Sequence, residues 1–446
     1  MKTSFFSPAR LITVCLSILS WSSFAAMQFE YPVKISTNQR YFTDARGLPF
    51  FYQACTGWEL FSMLTREETE VYLKNRSEKG FNTIQVFLLP WKVEDTNRYG
   101  EPPFRDMKFF TDPNDNYFDH VEWVLQKASE YGIQLNINVL WLNKWRNHTT
   151  VDNARFFGNY VANRFLHHDN MMWFIGGDIN PNDKMEAQQA LAETIHAIDK
   201  KHLMSYHGGR YSDGSSTSSS ALFHREPWHS YNMAYCYDPS HSPRFDPYAH
   251  VQFIHAYNLK PVKPIILGES FYESMNYPFK DSAEHFYALR LSPLWGLTSG
   301  ITGHAAGHGK IITFGKEWQK AMDDPNSLVV KNLSRLIGEI KWWTLVPDQS
   351  HEVGINGYGN FGGMHYISLA CDPEGKLAVA YFPYHGKLTV DMSKFSGPVK
   401  GRWFDPVNGN VIPITSNLSN KGTYDFSPPG LNGGGAQDFL LILESN

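Results

Sequence analysis

Residues 171–178 read Met-Met-Trp-Phe-Ile-Gly-Gly-Asp, and residues 264–269 read Pro-Ile-Ile-Leu-Gly-Glu. Each stretch is a run of apolar residues that ends in glycine and then an acidic residue. An uninterrupted apolar run of this length is typical of a strand covered on both faces, as in a parallel sheet flanked by helices. The two stretches therefore predict two parallel strands, each followed directly by a carboxylate.

Similar apolar runs recur along the chain and alternate with helical patterns. One helical pattern begins with the capping box Thr65-Arg66-Glu67-Glu68 and ends before Gly80, which is a typical helix stop. Eight strand–helix units over about 300 residues predict an α/β fold, the (β/α)8 TIM barrel, over residues 49–350. The eight predicted strands are 49–55, 81–89, 133–141, 171–177, 203–207, 228–235, 264–268 and 296–303.

The chain changes character after the barrel. From residue 351 to residue 446, helical periodicity gives way to short apolar runs separated by Gly, Pro, Asn and Asp. This pattern predicts an all-β sandwich as a second domain. Residues 26–48 contain short strand-like pieces that could pair with this C-terminal module.

The first 25 residues predict a secretory signal peptide. Lys2 and Arg10 precede the apolar run 11–19, and Ser23 and Ala25 place small residues at positions −3 and −1 of a cleavage site. The run is too short to span a membrane, and no other stretch approaches 18 consecutive apolar residues. We therefore expect a secreted or periplasmic protein without a membrane span.

Composition excludes several classes of protein. The net charge is −4, from 40 basic and 44 acidic residues, which leaves no electrostatic basis for binding nucleic acid. Charged residues make up 19% of the chain and aromatic residues 15%, which argues against a disordered chain or a coiled coil. A weakly charged, aromatic-rich protein fits neutral, ring-shaped ligands such as sugars.

The two acidic residues of the opening stretches are candidate catalytic groups. Asp178 follows the fourth strand and Glu269 the seventh, and these strands lie across the mouth of a barrel from each other, where barrel enzymes carry their active sites. Two facing carboxyl groups are what glycosidic cleavage requires, with a separation of ~5–5.5 Å in retaining and ~6.5–9.5 Å in inverting enzymes. The alternatives are that Asp178 caps the next helix and that Glu269 belongs to a structural ion pair.

Other residues at or near the predicted strand ends are candidate substrate contacts. Polar side chains there could bind sugar hydroxyls and aromatic faces could pack against a sugar ring, although a packing role is the alternative for each. We predict neither a cofactor nor a metal, because no phosphate loop or dinucleotide motif occurs and the i, i+4 pair His304 and His308 is flanked by glycines rather than set in a helix. The candidate contacts are Trp58, Asn138, Trp141, His207, Asn232, Tyr235, Tyr272 and His304.

Several stretches also carry a family resemblance. Residues 40–50 (Arg-Tyr-Phe-Thr-Asp-Ala-Arg-Gly-Leu-Pro-Phe), 56–61 (Thr-Gly-Trp-Glu-Leu-Phe) and 76–82 (Arg-Ser-Glu-Lys-Gly-Phe-Asn) resemble the opening of glycoside hydrolase family 140, a family of secreted bacterial barrels. The Gly-Gly-Asp that ends at Asp178, the Gly-Glu that ends at Glu269 and the Gly-His at His304 are similar to the same family. Residues 381–409 resemble its second domain, whose label refers to collagen.

The resemblance implies glycosidase activity on a barrel with an accessory β-domain. In this family the characterised activity is removal of apiose-linked side chains from a pectic polysaccharide. Carried over, Asp178 resembles the acid/base, Glu269 the nucleophile and His304 a substrate contact. Cys55 stands where the family commonly has Asp, and Ala306 where it has Tyr, so the subsite walls are expected to differ.

We therefore predict a secreted glycoside hydrolase that acts on a plant or microbial polysaccharide. The alternative is a non-catalytic carbohydrate-binding or adhesion protein on a degenerate barrel. Collagen binding is not expected, because a sandwich clamped to the barrel accounts for the second domain.

Overall fold

The computed structural model describes residues 29–179, 181–210, 216–236, 249–277 and 279–445. The predicted signal peptide, residues 1–25, lies outside the described residues. Three short strands come first: β1 Lys34–Ile35, β2 Phe42–Thr43 and β3 Pro49–Phe50. Ten strands follow: β4 Tyr52–Thr56, β5 Thr83–Phe87, β6 Gln134–Trp141, β7 Met171–Ile179, β8 Met204–Arg210, β9 Ser216–Thr217, β10 Asn232–Tyr235, β11 Ile265–Glu269, β12 Tyr272–Glu273 and β13 Gly303–His308.

Eight of these strands form a nearly closed parallel barrel, which confirms the predicted fold. The hydrogen-bonded order is β10-β11-β13-β4-β5-β6-β7-β8. The two ends of this sheet meet where Ser230 N donates to Met204 O at 2.7 Å and Ser205 Oγ donates to Tyr231 O at 2.7 Å. Short strands β9 and β12 extend the wall by pairing with β8 and β13.

Helices surround the barrel. The capping box predicted at Thr65 is present: Thr65 Oγ1 accepts from Glu68 N at 3.2 Å, and Glu68 Oε2 accepts from Thr65 N at 2.9 Å. The α-helices are α1 Leu60–Met63, α2 Arg66–Glu78, α3 Asp115–Glu130, α4 Leu142–Trp145, α5 Val151–Phe165, α6 Met185–Ile198, α7 Ser219–Phe223, α8 Ala249–Asn258, α9 Ser282–Thr298, α10 Trp318–Ala321 and α11 Pro325–Glu339. Single turns of 3-10 helix lie at Arg105–Met107, Arg146–His148, Asn182–Lys184, Trp342–Thr344 and Met392–Lys394.

The eighth strand differs from its prediction. The sequence predicted a strand over 296–303, but α9 continues to Thr298 and β13 begins only at Gly303. The apolar residues Leu297 and Ile301 suggested a strand. Both are buried, but Leu297 belongs to the last turn of α9 and Ile301 to the turn that follows it. As a consequence His304 lies inside a strand instead of in the loop that follows one.

The N-terminal strands close the bottom of the barrel. β1, β2 and β3 pair antiparallel with one another, and none of them pairs with a described strand of the C-terminal module. The pairing considered from sequence is therefore corrected. Phe42 and Phe50 are buried at the amino ends of the barrel strands, where the ring of Phe42 meets that of Tyr231 edge-on at 5.4 Å.

The C-terminal module consists of two antiparallel sheets, as predicted for a β-sandwich. One sheet has the order β14-β16-β17-β22-β19-β20 and the other β15-β18-β21. Their strands are β14 Val346–Pro347, β15 Gly354–Asn356, β16 Ser368–Cys371, β17 Leu377–Phe382, β18 Leu388–Asp391, β19 Val399–Phe404, β20 Val411–Leu418, β21 Thr423–Phe426 and β22 Phe439–Ser445.

The central strands of the larger sheet are buried on both faces, whereas its edge strand β20 is mostly exposed. In β17, Ala378, Ala380 and Phe382 face the smaller sheet, whereas the alternate residues Val379 and Tyr381 face the barrel helices α9 and α11. A buried ion pair crosses the same boundary, with Arg290 of α9 donating to both oxygens of Asp438 at 2.6 and 3.0 Å. The module is thus clamped to the barrel through apolar and ionic contacts.

No helix among the described residues is both long enough and apolar enough to cross a membrane.

Candidate active site

Asp178 lies at the carboxyl end of β7, on a backbone that the two preceding glycines make possible. Gly176, Gly177 and Asp178 have φ angles of 90°, 134° and 47°. A Cβ on Gly177 would lie 2.4 Å from ring atoms of Trp141. The absence of a side chain on Gly177 therefore lets the Trp141 ring lie directly against the backbone of β7. A left-handed Asp costs about 1–3 kcal/mol, and such strain is concentrated at functional sites.

Glu269 ends β11 and is buried. Its Oε1 accepts a 2.6 Å hydrogen bond from Tyr272 Oη, and His207 Nε2 lies 2.9 Å from its Oε2. Tyr272 Oη in turn accepts from Trp58 Nε1 at 3.0 Å. These contacts fix the orientation of the Glu269 carboxylate from two sides.

The two acidic groups face each other at short range. One ligand-type atom from each of Asp178, His207 and Glu269 lies within 4.8 Å of the other two. Tyr235 Oη donates to Asp178 Oδ1 at 3.2 Å, and the Asp178 side chain is half-buried. One carboxylate oxygen of Asp178 and one of Glu269 thus lie close enough to act on the same bond.

The charges and the burial at the site shift the pKa values of its titratable side chains. Burial alone would lower the pKa of His207, but the neighbouring Glu269 carboxylate, with Asp178 beyond it, raises it above its ordinary value. Burial and the charge of Glu269 raise the pKa of Tyr272 well above its usual range. Tyr272 therefore keeps its proton and remains a hydrogen-bond donor to Glu269.

An aromatic wall continues from the carboxylates. Trp58 stacks on Phe87 with ring centroids 4.7 Å apart, and Phe87 meets Trp91 at 5.7 Å and Trp141 at 4.5 Å. Lys144 Nζ lies 4.2 Å from the centre of the Trp91 ring. Flat apolar rings beside polar groups are suited to the apolar face of a sugar.

Two buried polar atoms beside this wall have no hydrogen-bond partner within the described part of the chain. They are Trp141 Nε1, a donor, and Asn138 Oδ1, an acceptor. The Asn138 amide is held by a 3.3 Å bond from its Nδ2 to Gly176 O. An unpaired buried donor or acceptor costs about 1–3 kcal/mol, which a ligand that supplies the missing partner recovers.

Six of the eight sequence-predicted contacts surround this site. Two others lie elsewhere. Asn232, the first residue of β10, has its Oδ1 3.0 Å from His224 Nδ1, away from the barrel mouth. His304 packs against Phe51 at 6.3 Å and lines a space beside helices α9 and α11, outside the barrel wall. The residues brought together are Trp58, Asn138, Trp141, His207, Tyr235 and Tyr272.

Sequence reasoning missed the contribution of the second barrel strand. Phe87 ends β5, and Trp91 lies in the loop that follows it. The rule that barrel sites lie at the carboxyl ends of strands applies to this strand as well, and could have indicated both residues.

Among the residues that the structure describes, two groups of side chains could each offer three ligand atoms to a metal ion. One is Asp178, His207 and Glu269, and the other is Glu122, His167 and His168 on the outer surface. In the first group, O–H groups of Tyr235 and Tyr272 already donate to the two carboxylates. That arrangement fits a pair of acid and base groups working by proton transfer and nucleophilic attack.

Comparison with known families identifies the barrel. A family profile described as "Apiosidase-like, catalytic domain" matches residues 36–344. The chain belongs to the apiosidase-like family. This confirms the resemblance seen in the sequence and makes the protein a glycoside hydrolase. A second profile, "Putative collagen-binding domain of a collagenase", matches residues 346–444.

Solved structures extend the likeness of this apiosidase-like protein to both domains. A structure described as a glycoside hydrolase has 27% sequence identity and a TM-score of 0.80, with 94% of this chain and 97% of that chain covered. A glycoside hydrolase of family 5 from Bacteroides vulgatus has 25% identity and a TM-score of 0.81, with 93% of each chain covered. No curated protein matches the sequence.

Proposed function

We propose that this apiosidase-like protein is a retaining glycosidase in which Glu269 is the nucleophile and Asp178 the acid/base. The observation that carries the proposal is that one oxygen of each carboxylate lies within 4.8 Å of an oxygen of the other, a short distance that supports the retaining rather than the inverting arrangement. The strained, glycine-dependent backbone of Asp178 supports its assigned role, and the fixed orientation of the Glu269 carboxylate supports the role of Glu269.

In the first step a Glu269 oxygen attacks the anomeric carbon, and the bond from that carbon to the leaving oxygen breaks. Asp178 gives its proton to the leaving oxygen, and a glycosyl ester with Glu269 remains. In the second step Asp178 takes a proton from water, whose oxygen attacks the anomeric carbon and releases Glu269. Tyr272 and His207 hold the carboxylate of Glu269 in line for both displacements.

We propose a plant or microbial polysaccharide as the substrate and an exported, secreted or periplasmic, location. The ring of Trp91, which stacks on the buried Phe87 and is itself partly exposed, offers a sugar-binding face, while Trp141 Nε1 and Asn138 Oδ1 offer a donor and an acceptor to hydroxyls. The location is supported by the signal-like sequence of residues 1–25.

The test is a screen of polysaccharides and aryl glycosides for released products, with two inactivated variants as controls. We expect Glu269→Gln to lower kcat by at least about 10³-fold and Asp178→Asn by about 10²–10⁴-fold, both with unchanged circular dichroism. The first product detected by NMR should keep the anomeric configuration of the substrate. Turnover by Glu269→Gln at the wild-type rate would remove its assigned role, and an inverted first product would refute the retaining mechanism. Binding of glycans without any turnover would favour the alternative, a carbohydrate-binding protein.

A further inference from the structure

Strand β12 carries a second acidic residue next to Tyr272. Glu273 is half-buried, and both of its carboxylate oxygens accept from Asn326 N, at 3.2 and 3.3 Å. Asn326 lies in the first turn of α11. The backbone of Glu273 is held as well, since its O accepts from Gly309 N at 2.8 Å. The Glu273 side chain therefore ties β12 to the start of a 15-residue helix.

Helix α11 needs this contact because its own cap is occupied elsewhere. The N-cap residue, Asp324, makes no side-chain hydrogen bond to the helix, and its Oδ2 lies instead 2.8 Å from His308 Nε2. Pro325 follows and has no N–H, so Asn326 N is the first amide donor of the helix. Orphan amides at a helix start require an acceptor, and Glu273 supplies one from another element.

Tyr272 is the residue that this tie would hold in place. Its N donates to Tyr277 Oη at 3.0 Å, and its O lies 2.9 Å from His285 Nε2. Its ring lies directly over Gly307, where an added Cβ would come within 1.8 Å of the ring. Because the ring has so little clearance, a small shift of β12 displaces Tyr272 Oη from Glu269.

We propose that Glu273 is a positioning residue: its contact with the first turn of α11 holds β12 in the place that keeps Tyr272 Oη on Glu269. The kinetic part of the proposal rests on the nucleophilic role proposed above for Glu269. Glu273 acts through Tyr272 and does not itself touch the reacting atoms.

The surroundings of Glu273 give the contact a pH dependence. The charged and titratable groups around it, among the described residues, are Asp324 ahead of α11, Arg76 of α2, His308 of β13 and the thiol of Cys55 in β4. Burial raises the pKa of Glu273 to about 7; the Asn326 amide and Arg76 oppose the rise, and the charge of Asp324 adds to it.

A carboxyl group whose pKa is raised by burial is buried more favourably when it is protonated. The buried, docked state of Glu273 is therefore most stable below the ordinary carboxyl pKa and loses stability as the pH rises through about 7, because the cost of burying the charge exceeds the gain from the Asn326 hydrogen bond. A neutral acid still offers its carbonyl oxygen to Asn326 N. Glutamine offers the same acceptor without titrating.

The first experiment compares Glu273→Ala with Glu68→Ala, which removes a different helix-capping carboxylate, the one in α2 that accepts from Thr65 N. Hydrogen exchange followed by mass spectrometry should show faster exchange over residues 270–277 in Glu273→Ala and unchanged exchange there in Glu68→Ala. This readout needs no substrate, so it tests the positioning role even if the proposed function fails. Unchanged exchange over 270–277 in Glu273→Ala would overturn the proposal.

The second experiment measures kinetics on a substrate that the wild-type protein cleaves. Misplacement by a fraction of an ångström should lower kcat roughly 10- to 100-fold in Glu273→Ala with little change in KM. Glu273→Gln should restore kcat. The ratio of its kcat to that of wild type should rise above pH 7, because only the wild-type side chain ionises there. Titration of Asp178 is common to both proteins and cancels in this ratio. A pH-independent ratio would contradict the titrating contact. A loss in Glu68→Ala equal to that in Glu273→Ala would reduce the effect to general destabilisation. If Glu273→Ala does not fold, the Glu273→Gln ratio decides alone.

Discussion

Replacing Gly176 by Ala tests how the backbone ahead of Asp178 is held. Gly176 has φ of 90°, and a Cβ there would lie 2.5 Å from Tyr206 Cε2 and 2.7 Å from the backbone O of His207. Gly100 is a matched control, because its φ is 79° and nothing lies within 4 Å of the Cβ position. The two substitutions share the backbone strain, and only one of them adds a collision.

The expected sizes follow from these two terms. A left-handed non-glycine residue costs roughly 1–2 kcal/mol, so Gly100→Ala should lower the free energy of unfolding by about that amount. Overpacking against β8 adds about 1–3 kcal/mol, so Gly176→Ala should lose roughly 2–5 kcal/mol. The collision with the His207 carbonyl cannot be relieved by a rotamer change, so β7 and β8 must separate. Displacement of Asp178 relative to Glu269 should then cost about 10²-fold in kcat.

Urea unfolding followed by tryptophan fluorescence, with kcat on the same preparations, measures both effects. Gly100→Ala should keep the wild-type kcat. Equal losses of unfolding free energy in the two variants would mean that the strand pair absorbs the extra methyl without resistance. A fully active Gly176→Ala protein would refute the claim that close packing of β7 on β8 positions Asp178.

Three further predictions concern single side chains. Tyr272→Phe removes the donor to Glu269, and loss of a hydrogen bond to a charged group, about 1.5–3 kcal/mol, should lower kcat roughly 10- to 150-fold in steady-state assays. Arg290→Leu leaves the Asp438 carboxylate buried and unpaired, which should cost about 3–5 kcal/mol of unfolding free energy in urea titrations. Burial raises the pKa of Asp199, but hydrogen bonds from His202 and Trp173 outweigh it and lower the pKa to about 2. The ionised Asp199 therefore stabilises the fold by about 2 kcal/mol above the ordinary carboxyl pKa, and this stabilisation is lost as the pH falls through 2. Asp199→Asn should flatten the acid-unfolding curve over that pH range.

The barrel and its two acidic residues were predictable because their signals are local. The apolar runs that end at Asp178 and Glu269 carry both the strand and its carboxyl end within a few residues. Once eight strands are counted, barrel geometry brings the fourth and the seventh across one mouth. The capping box at Thr65 is readable for the same reason.

The contacts of His304 and Asn232 were not predictable, because each depends on which side of a strand a residue faces. A one-residue error in the start of a strand reverses its inward and outward faces. β13 begins at Gly303, seven residues after the predicted start, so His304 was taken for a loop residue when it belongs to the wall. Asn232 alternates with Met233, and only Met233 points into the barrel.

The burial of the central strands of the larger C-terminal sheet on both faces has a practical consequence for protein production. A chain cut near residue 345 would leave Leu294, Trp295 and Leu336 of the barrel helices facing water. The C-terminal module, expressed without the barrel, would in turn expose Val379 and Tyr381 to water. Either domain expressed alone would thus expose an apolar surface prone to aggregation. Truncating the protein for crystallisation, or fusing the module to another enzyme, therefore requires polar substitutions in this interface first.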